Sequence, residues 1–317
     1  MSDQGWSDQR WSDDGLSDER LAGAHVTLTH GASEAVIALA GAEAVRWRIG
    51  GQKLLWSADG AHWDRVAPVL FPVVGWCRNG EIRIGGRSYP MGVHGFAAQQ
   101  VFEIIAQGSD HVSLRLKASP LTHAHYPFDF ELDVHYRLDA NRLETRLEVA
   151  NAGAQDMPYA CGLHPGFRWP FGDDAREGYS IEFAQPEAPE VPVIAPGGLF
   201  SREMRKTRLD GRRLALDDET FAQEASCFLN VGSRSVAMRS PGGAAIRVDF
   251  ENFPHVALWS KPGAPFVCIE TWTGHGDPVG FDGELADKPS MIVLKPGARG
   301  EHRALFEWVA PEPQFRA

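Results

Sequence analysis

From about Ala24 onward the chain is built of short runs in which apolar and polar residues alternate. In the clearest run Phe128, Phe130, Leu132, Val134, Tyr136 and Leu138 are apolar and the residues between them polar; Asp139-Ala140-Asn141 then supplies a turn, and Leu143 to Val149 alternates again. Side chains along a strand point alternately to its two faces, so this pattern predicts a hairpin with one buried face. Shorter runs predict further strands at His25 to Leu28, Glu34 to Leu39, Val112 to Leu116, Ser235 to Met238, Ala245 to Phe250 and Ser290 to Leu294. Gly50-Gly51 and Gly242-Gly243 read as hairpin turns. No stretch sustains an apolar period near 3.6, although Leu214 to Phe221 suits a short helical turn. Many short strands separated by turns predict an all-β protein, its antiparallel sheets packed as a sandwich or closed as a barrel. Large β folds commonly exceed 250 residues, so one domain over 24–317 is expected of this 317-residue chain.

The first 23 residues follow a different rule. Trp6, Trp11, Leu16 and Leu21 recur every fifth position among Ser-Asp pairs, a spacing that fits neither a helix nor a strand. This N-terminal extension is expected either to dock its indoles on the body or on a second copy, as a homodimer, or to stay flexible.

Charge and cysteine usage narrow the function classes. The net charge is -11 with no Lys/Arg stripe, which argues against nucleic acid and against an anionic membrane surface as partners. No window approaches the apolar length needed to span a bilayer, and the acidic N-terminus does not resemble an export signal, so a soluble, cytoplasmic protein is expected. Cys77, Cys161, Cys227 and Cys268 are scattered among small or apolar neighbours, as buried hydrophobes of a reducing compartment are.

Three segments bring reactive side chains beside glycine or proline: Tyr89 to Phe96, Gly162 to Phe167 and Phe266 to Gly274. Glu270 lies within an apolar strand, on the same face as Cys268 and Trp272. If that face lines a pocket, burial raises the carboxyl toward neutrality and makes a general base; otherwise Glu270 is a strand-end carboxylate reaching water or an arginine. His164 stands before Pro165, which restricts it to extended geometry, and serves either as a proton donor near neutral pH or as a loop hydrogen-bonder. His94 before Gly95 poses the same choice. His123 and His125 form a pair that lacks a third ligand at a metal-site spacing, and the other histidines read as solvated or capping residues. No phosphate-binding or dinucleotide fingerprint occurs, so no metal, nucleotide or other cofactor is expected.

Six segments in order, Phe71-Pro72-Val73-Val74-Gly75 with Asn79-Gly80, His94-Gly95-Phe96, Tyr126-Pro127-Phe128-Asp129-Phe130, Gly162-Leu163-His164-Pro165-Gly166-Phe167, Leu258-Trp259-Ser260-Lys261-Pro262 and Phe266 to Trp272, resemble the aldose 1-epimerase family, in particular its shorter bacterial, mutarotase-like branch. The resemblance runs from about Ala24 to Glu307. It implies a large antiparallel β-sandwich with a monosaccharide in a cleft on a concave face, where the α and β anomers interconvert by acid–base ring opening without a cofactor. It also implies that Glu270 is the general base, that His164 is the general acid, and that His94 hydrogen-bonds the sugar near its anomeric centre. Relatives carry a sugar-contacting arginine where this chain has Trp76; either Trp76 stacks on the sugar or Arg78 reaches into the same space. A second arginine of close relatives is replaced by Ala98. Glu224 falls near the family's pocket aspartate, and Trp259 completes the substrate-binding set. With these arginines lost, a neutral hexose or pentose is expected. The alternatives are a hexose-6-phosphate 1-epimerase and a non-catalytic sugar-binding protein on the same fold. The imidazole of His164 and the carboxylate of Glu270 are expected to face each other across a space the size of one monosaccharide.

Overall fold

A computed structural model describes residues 23–59, 61–171 and 175–311; all but the last residue of the expected N-terminal extension lies outside the described residues. Strand makes up 49% of the structure and helix 6%, so the fold is all-β. The largest sheet has nine antiparallel strands. It runs from Arg213–Ala215 through Ser180–Phe183, Ser235–Arg239, Ala245–Glu251, Arg299–Val309, Arg142–Asn151, Phe130–Leu138 and His111–Lys117 to Glu103–Gln107. The expected hairpin lies at its middle, in register from Phe130↔Asn151 to Leu138↔Leu143. It starts two residues later than Phe128, because the Phe128 N–H turns back to the carbonyl of Tyr126.

A six-stranded sheet stacks against this one. It orders Ser226–Phe228, His255–Trp259, Phe266–Trp272, Gly162–Leu163 and Val69–Leu70, with Gly166–Arg168 also pairing to Phe266–Trp272. Val256, Leu258, Val267 and Ile269 from its inner face join Leu132, Leu147, Val248 and Phe306 of the large sheet in one apolar core. Alternation turns Ala257, Trp259, Cys268, Glu270 and Trp272 to the opposite face. Every residue of His255–Trp259 and Phe266–Trp272 is buried. Both faces of these strands are therefore covered, one by the sandwich core and the other by a second layer of side chains.

Local details follow residue chemistry. The Leu214 to Phe221 segment divides into the strand Arg213–Ala215 and a 3₁₀ turn, Asp218–Phe221, whose first N–H groups are capped when Asp217 accepts from Thr220 N (2.9 Å). Ser290 has φ 69°, so the strand expected from there begins at Ile292. All four cysteines are buried free thiols. No helix among the described residues is long and apolar enough to cross a membrane.

Candidate active site

Strand register brings the two principal candidates together. Gly162 pairs with Trp272 and Leu163 with Thr271; the same register, carried one residue further, sets His164 opposite Glu270, and Gly166 opposite Cys268 continues it beyond Pro165. Residues more than a hundred positions apart in sequence thus become cross-strand neighbours, and His164 Nε2 lies 3.1 Å from Glu270 Oε2. Pro165 interrupts the ladder at this point, and the His164 N–H donates instead to the carbonyl of Pro68 (3.1 Å).

The pair is dry. His164 is 2% exposed and Glu270 1%. Burial raises the Glu270 carboxyl well above its ordinary range, only partly offset by the indole N–H of Trp272, which donates to Oε2 (3.1 Å). Burial also pulls the His164 imidazole well below its ordinary value, and neighbouring His94 adds to the effect. Both displacements favour the uncharged forms, so one proton is held between an oxygen and a nitrogen. His164 Nδ1 is buried and has no hydrogen-bond partner among the described residues.

His94 completes an imidazole corner. It adopts φ 62° and is followed by Gly95 at φ 79°, where a Cβ would lie 2.1 Å from the Phe71 carbonyl oxygen, so only glycine fits against that strand. The resulting turn presents the His94 ring to His164, with centroids 5.5 Å apart and planes near perpendicular. Gly75 N–H donates to His94 Nδ1 (3.1 Å), and burial drops the imidazole to about 3. The ring is therefore neutral, with its proton on Nε2. Trp63 lies over His164 at 5.0 Å, Trp259 edges it at 5.7 Å, and Phe266 stacks under Trp63 at 5.5 Å.

Of the expected site residues, Glu270, His164, His94 and Trp259 meet. The expected sugar-sized space between acid and base is absent: the two groups touch, under an aromatic cover. Trp76 is half-buried at the neighbouring loop, packed so closely on Gly198 that a Cβ there would overlap its ring at 1.8 Å. Arg78 is not brought to the pair. Its guanidinium donates to the carbonyl of Phe281 (3.2 Å) in a separate cleft of about 290 Å³ lined also by Glu81, Arg83 and Asp282. Glu224 is exposed on the loop before Ser226–Phe228, with φ 47°.

The remaining histidines need one correction. His255, His275 and His302, expected to be solvated or capping, are buried. Each is satisfied internally: His255 Nδ1 accepts from Asn230 N–H (3.0 Å), His275 stacks on Phe200 (4.7 Å), and His302 joins Tyr159 (2.9 Å) to the carbonyl of Asn252 (2.8 Å). His123 and His125 diverge, to Asp129 (3.0 Å) and the carbonyl of Pro90 (2.9 Å).

Sequence reasoning missed two supports of the site. The Asp277 carboxylate forms an ion pair with Lys288 Nζ (2.8 Å) and accepts from Arg78 N–H (2.9 Å), while its backbone bonds Trp76 O and Phe200 N–H, both at 2.8 Å. Trp63 gave no signal because its segment has neither period. The sequence signal for Asp277 was only its place just beyond the third reactive segment.

The described residues thus form an all-β protein whose nine- and six-stranded sheets pack as a sandwich, with a desolvated imidazole–carboxyl pair on the outer face of the smaller of the two. The sequence profile of the aldose 1-epimerase family matches residues 24–307, and the chain belongs to that family. Protein LacX (chromosomal) of Lactococcus lactis subsp. lactis is 33% identical over 257 residues, covering 78% of this chain and 86% of that protein. A galactose mutarotase-like protein from Lactobacillus casei has a TM-score of 0.85 at 26% identity, over 90% of this chain and 100% of that one. A galactose mutarotase-related enzyme from Lactobacillus acidophilus has a TM-score of 0.83 at 28% identity, over 91% and 98% of the two chains.

Proposed function

We propose that this protein is an aldose 1-epimerase acting on a neutral hexose or pentose, with Glu270 and His164 as its proton-transfer pair. The observation that carries the reading is the buried 3.1 Å contact between His164 Nε2 and Glu270 Oε2, two groups displaced in opposite directions within a fold of this family. Ring opening moves a proton from the anomeric hydroxyl to the ring oxygen, two oxygens bonded to the same carbon. An acid and a base serving both must therefore sit side by side, and a pair sharing one proton meets that need.

In the ion-pair form Glu270 takes the proton of the anomeric hydroxyl as the imidazolium of His164 protonates the ring oxygen. The C1–O5 bond breaks, leaving an open-chain aldehyde and the uncharged pair. After rotation about C1–C2, the protonated carboxyl gives its proton to the carbonyl oxygen while the neutral imidazole takes the proton of the O5 hydroxyl, and the ring closes on the other carbonyl face with the ion pair restored. The charged and uncharged pairs hold the same number of protons, so switching between them needs no exchange with solvent. The Nε2–H of His94 is a donor for the ring oxygen or anomeric hydroxyl, and the faces of Trp63 and Trp259 suit the apolar face of a pyranose. To reach the pair, the sugar must part imidazole from carboxyl and lift Trp63.

The test is polarimetry on freshly dissolved α-D-glucose, α-D-galactose and L-arabinose. Wild type accelerates relaxation of at least one, and Glu270→Gln or His164→Asn removes the acceleration; variants as fast as wild type would refute the assignment. The closed, dry contact also suits a second reading, a sugar-binding protein that does not turn over. Its signature is sugar-dependent tryptophan fluorescence without any acceleration.

A further inference from the structure

Along the outer face of the six-stranded sheet, His164, Glu270, Ala257 and Cys227 lie abreast on four successive strands. The far end of this row is gripped by one side chain from a separate hairpin, Glu190–Ala195 paired with Leu199–Lys206. Arg205 Nη2 donates to the carbonyl of Ala225 (3.0 Å) and Ser226 Oγ (3.1 Å), with a longer contact of 3.5 Å to the carbonyl of Glu224. No carboxylate pairs with it among the described residues, and its Nε and Nη1 make no hydrogen bond there. By contrast, Arg115 on the large sheet is met by two oxygens of Asp133, both at 2.6 Å.

The hairpin is built to aim this group. Between Pro192↔Met204 and Ile194↔Phe200 the register slips, leaving three residues opposite one. Phe200 and Arg205 have opposite parity and would point to opposite faces of a regular strand. The bulge lets both reach the same sheet, Phe200 in one apolar cluster with Cys227, Ala257 and Trp272, and Arg205 against Ala225 and Ser226. Ala225 in turn packs against the aromatic cluster of Trp56, Trp259 and Phe266 beside His164. The Cys227 thiol lies within electrostatic range of both Glu270 and Arg205. The guanidinium thus stands at the edge of the sheet, two strands from the proton-transfer pair, half-buried and with Nε and Nη1 making no hydrogen bond among the described residues.

We propose that Arg205 is a specificity-determining residue of this site, donating from its free N–H groups to ring hydroxyls at the end of the sugar remote from C1. The inference rests on the epimerase reading. A half-buried guanidinium that no carboxylate meets in a salt bridge, with Glu224 acting on it only at longer range, supplies several donors in a fixed plane, which suits adjacent hydroxyl oxygens. Acid and base fix the anomeric end of the sugar, and Arg205 fixes which hydroxyl pattern lies at the other.

The experiment compares wild type with Arg205→Met, which removes the donors, and Arg205→Lys, which keeps the charge and stem but loses the fork. The substrates are the fastest sugar of the polarimetric panel, its 3-deoxy and 4-deoxy derivatives, and its 6-phosphate. Wild type should reject at least one deoxy sugar, and Arg205→Met should raise KM for the parent sugar about tenfold or more while losing that discrimination. Arg205→Lys should fall between them, and it decides the matter if Arg205→Met does not fold. Unchanged KM and unchanged discrimination in the folded variants would overturn the proposal, and so would a preference for the 6-phosphate that disappears with Arg205. If wild type turns over no sugar, the epimerase reading fails separately, and sugar titration by tryptophan fluorescence then tests Arg205. Weaker binding in Arg205→Met supports the assignment, whereas equal binding, or none to wild type, overturns it.

Discussion

Two buried acid–base pairs lie close together in this molecule, and they are built differently. In Asp277–Lys288 the carboxylate is committed at both oxygens: one meets the ammonium in an ion pair at 2.8 Å and the other accepts from the Arg78 N–H at 2.9 Å, while the Asp277 backbone ties Trp76 to Phe200; the ammonium itself makes no hydrogen bond of good geometry among the described residues. His164–Glu270 is unsaturated, since Oε2 receives the Trp272 indole and faces His164 Nε2, and His164 Nδ1 is left over. The first pair commits both oxygens of its carboxylate to holding segments together. The second keeps capacity in reserve and accepts the cost of desolvation, which suits a group that must exchange a proton with something absent from the folded chain alone.

Substitutions should separate the two pairs along different axes. The largest effect expected is on turnover: Glu270→Gln lowers kcat about 10²–10⁴-fold in polarimetric assays. Its stability should move the other way. Burial holds the folded carboxyl neutral, whereas in the unfolded chain it ionises above about pH 4.3, so each pH unit from there up to the folded pKa costs the fold about 1.4 kcal/mol. Glu270→Gln removes that cost, and its thermal midpoint at pH 8 should equal or exceed that of wild type. Asp277→Ala strands a buried ammonium and should destabilise by about 3–5 kcal/mol in denaturant titrations.

A smaller, graded effect follows from the buried histidines. His255 is pulled down to about 4 by burial, with His275 adding to it, and His94 to about 3 by burial. Their unfolded counterparts take up a proton near pH 6.5, so the stability they lend is complete above that value. It is lost as pH falls toward the folded values, at about 1.4 kcal/mol per pH unit for each ring. Thermal melts from pH 7 to 4 should show this decline, and His255→Gln should flatten it. The smallest effect belongs to a third pair, Lys295 with Asp156 at 2.6 Å, whose side chains are 75% and 49% exposed. Lys295→Ala should change stability by less than about 1 kcal/mol.

What could be read from the chain alone divides along the same line. The hairpin Phe130–Leu138/Arg142–Asn151 was legible because one of its faces is polar, so period two survives in the letters. Phe266–Trp272 has no such contrast, since both faces are covered, yet a glutamate in so apolar a run stood out as a candidate by its cost. His164 was legible through Pro165. Arg205 and Asp277 were not, because each acts through long-range contacts: a bulged hairpin laid across another sheet, and a carboxylate joining three distant loops. The reading of Arg78 as a sugar contact had sequence proximity to Trp76 behind it, but the Asn79-Gly80 turn, with Asn79 at φ 58°, carries Arg78 to the other cleft. His255, at the start of a strand, and His302, inside Arg299–Val309, misled because a histidine looks solvated until its partners, Asn230 and Tyr159, are known.

The most direct measurement is the rate of anomer exchange at equilibrium, by NMR magnetisation transfer, for wild type, Glu270→Gln, His164→Asn and the double variant. If the carboxyl and imidazole work as one proton-sharing unit, each single change abolishes exchange and the double variant is no slower than either. Independent, multiplying losses, or exchange in either single variant as fast as in wild type, would contradict the account.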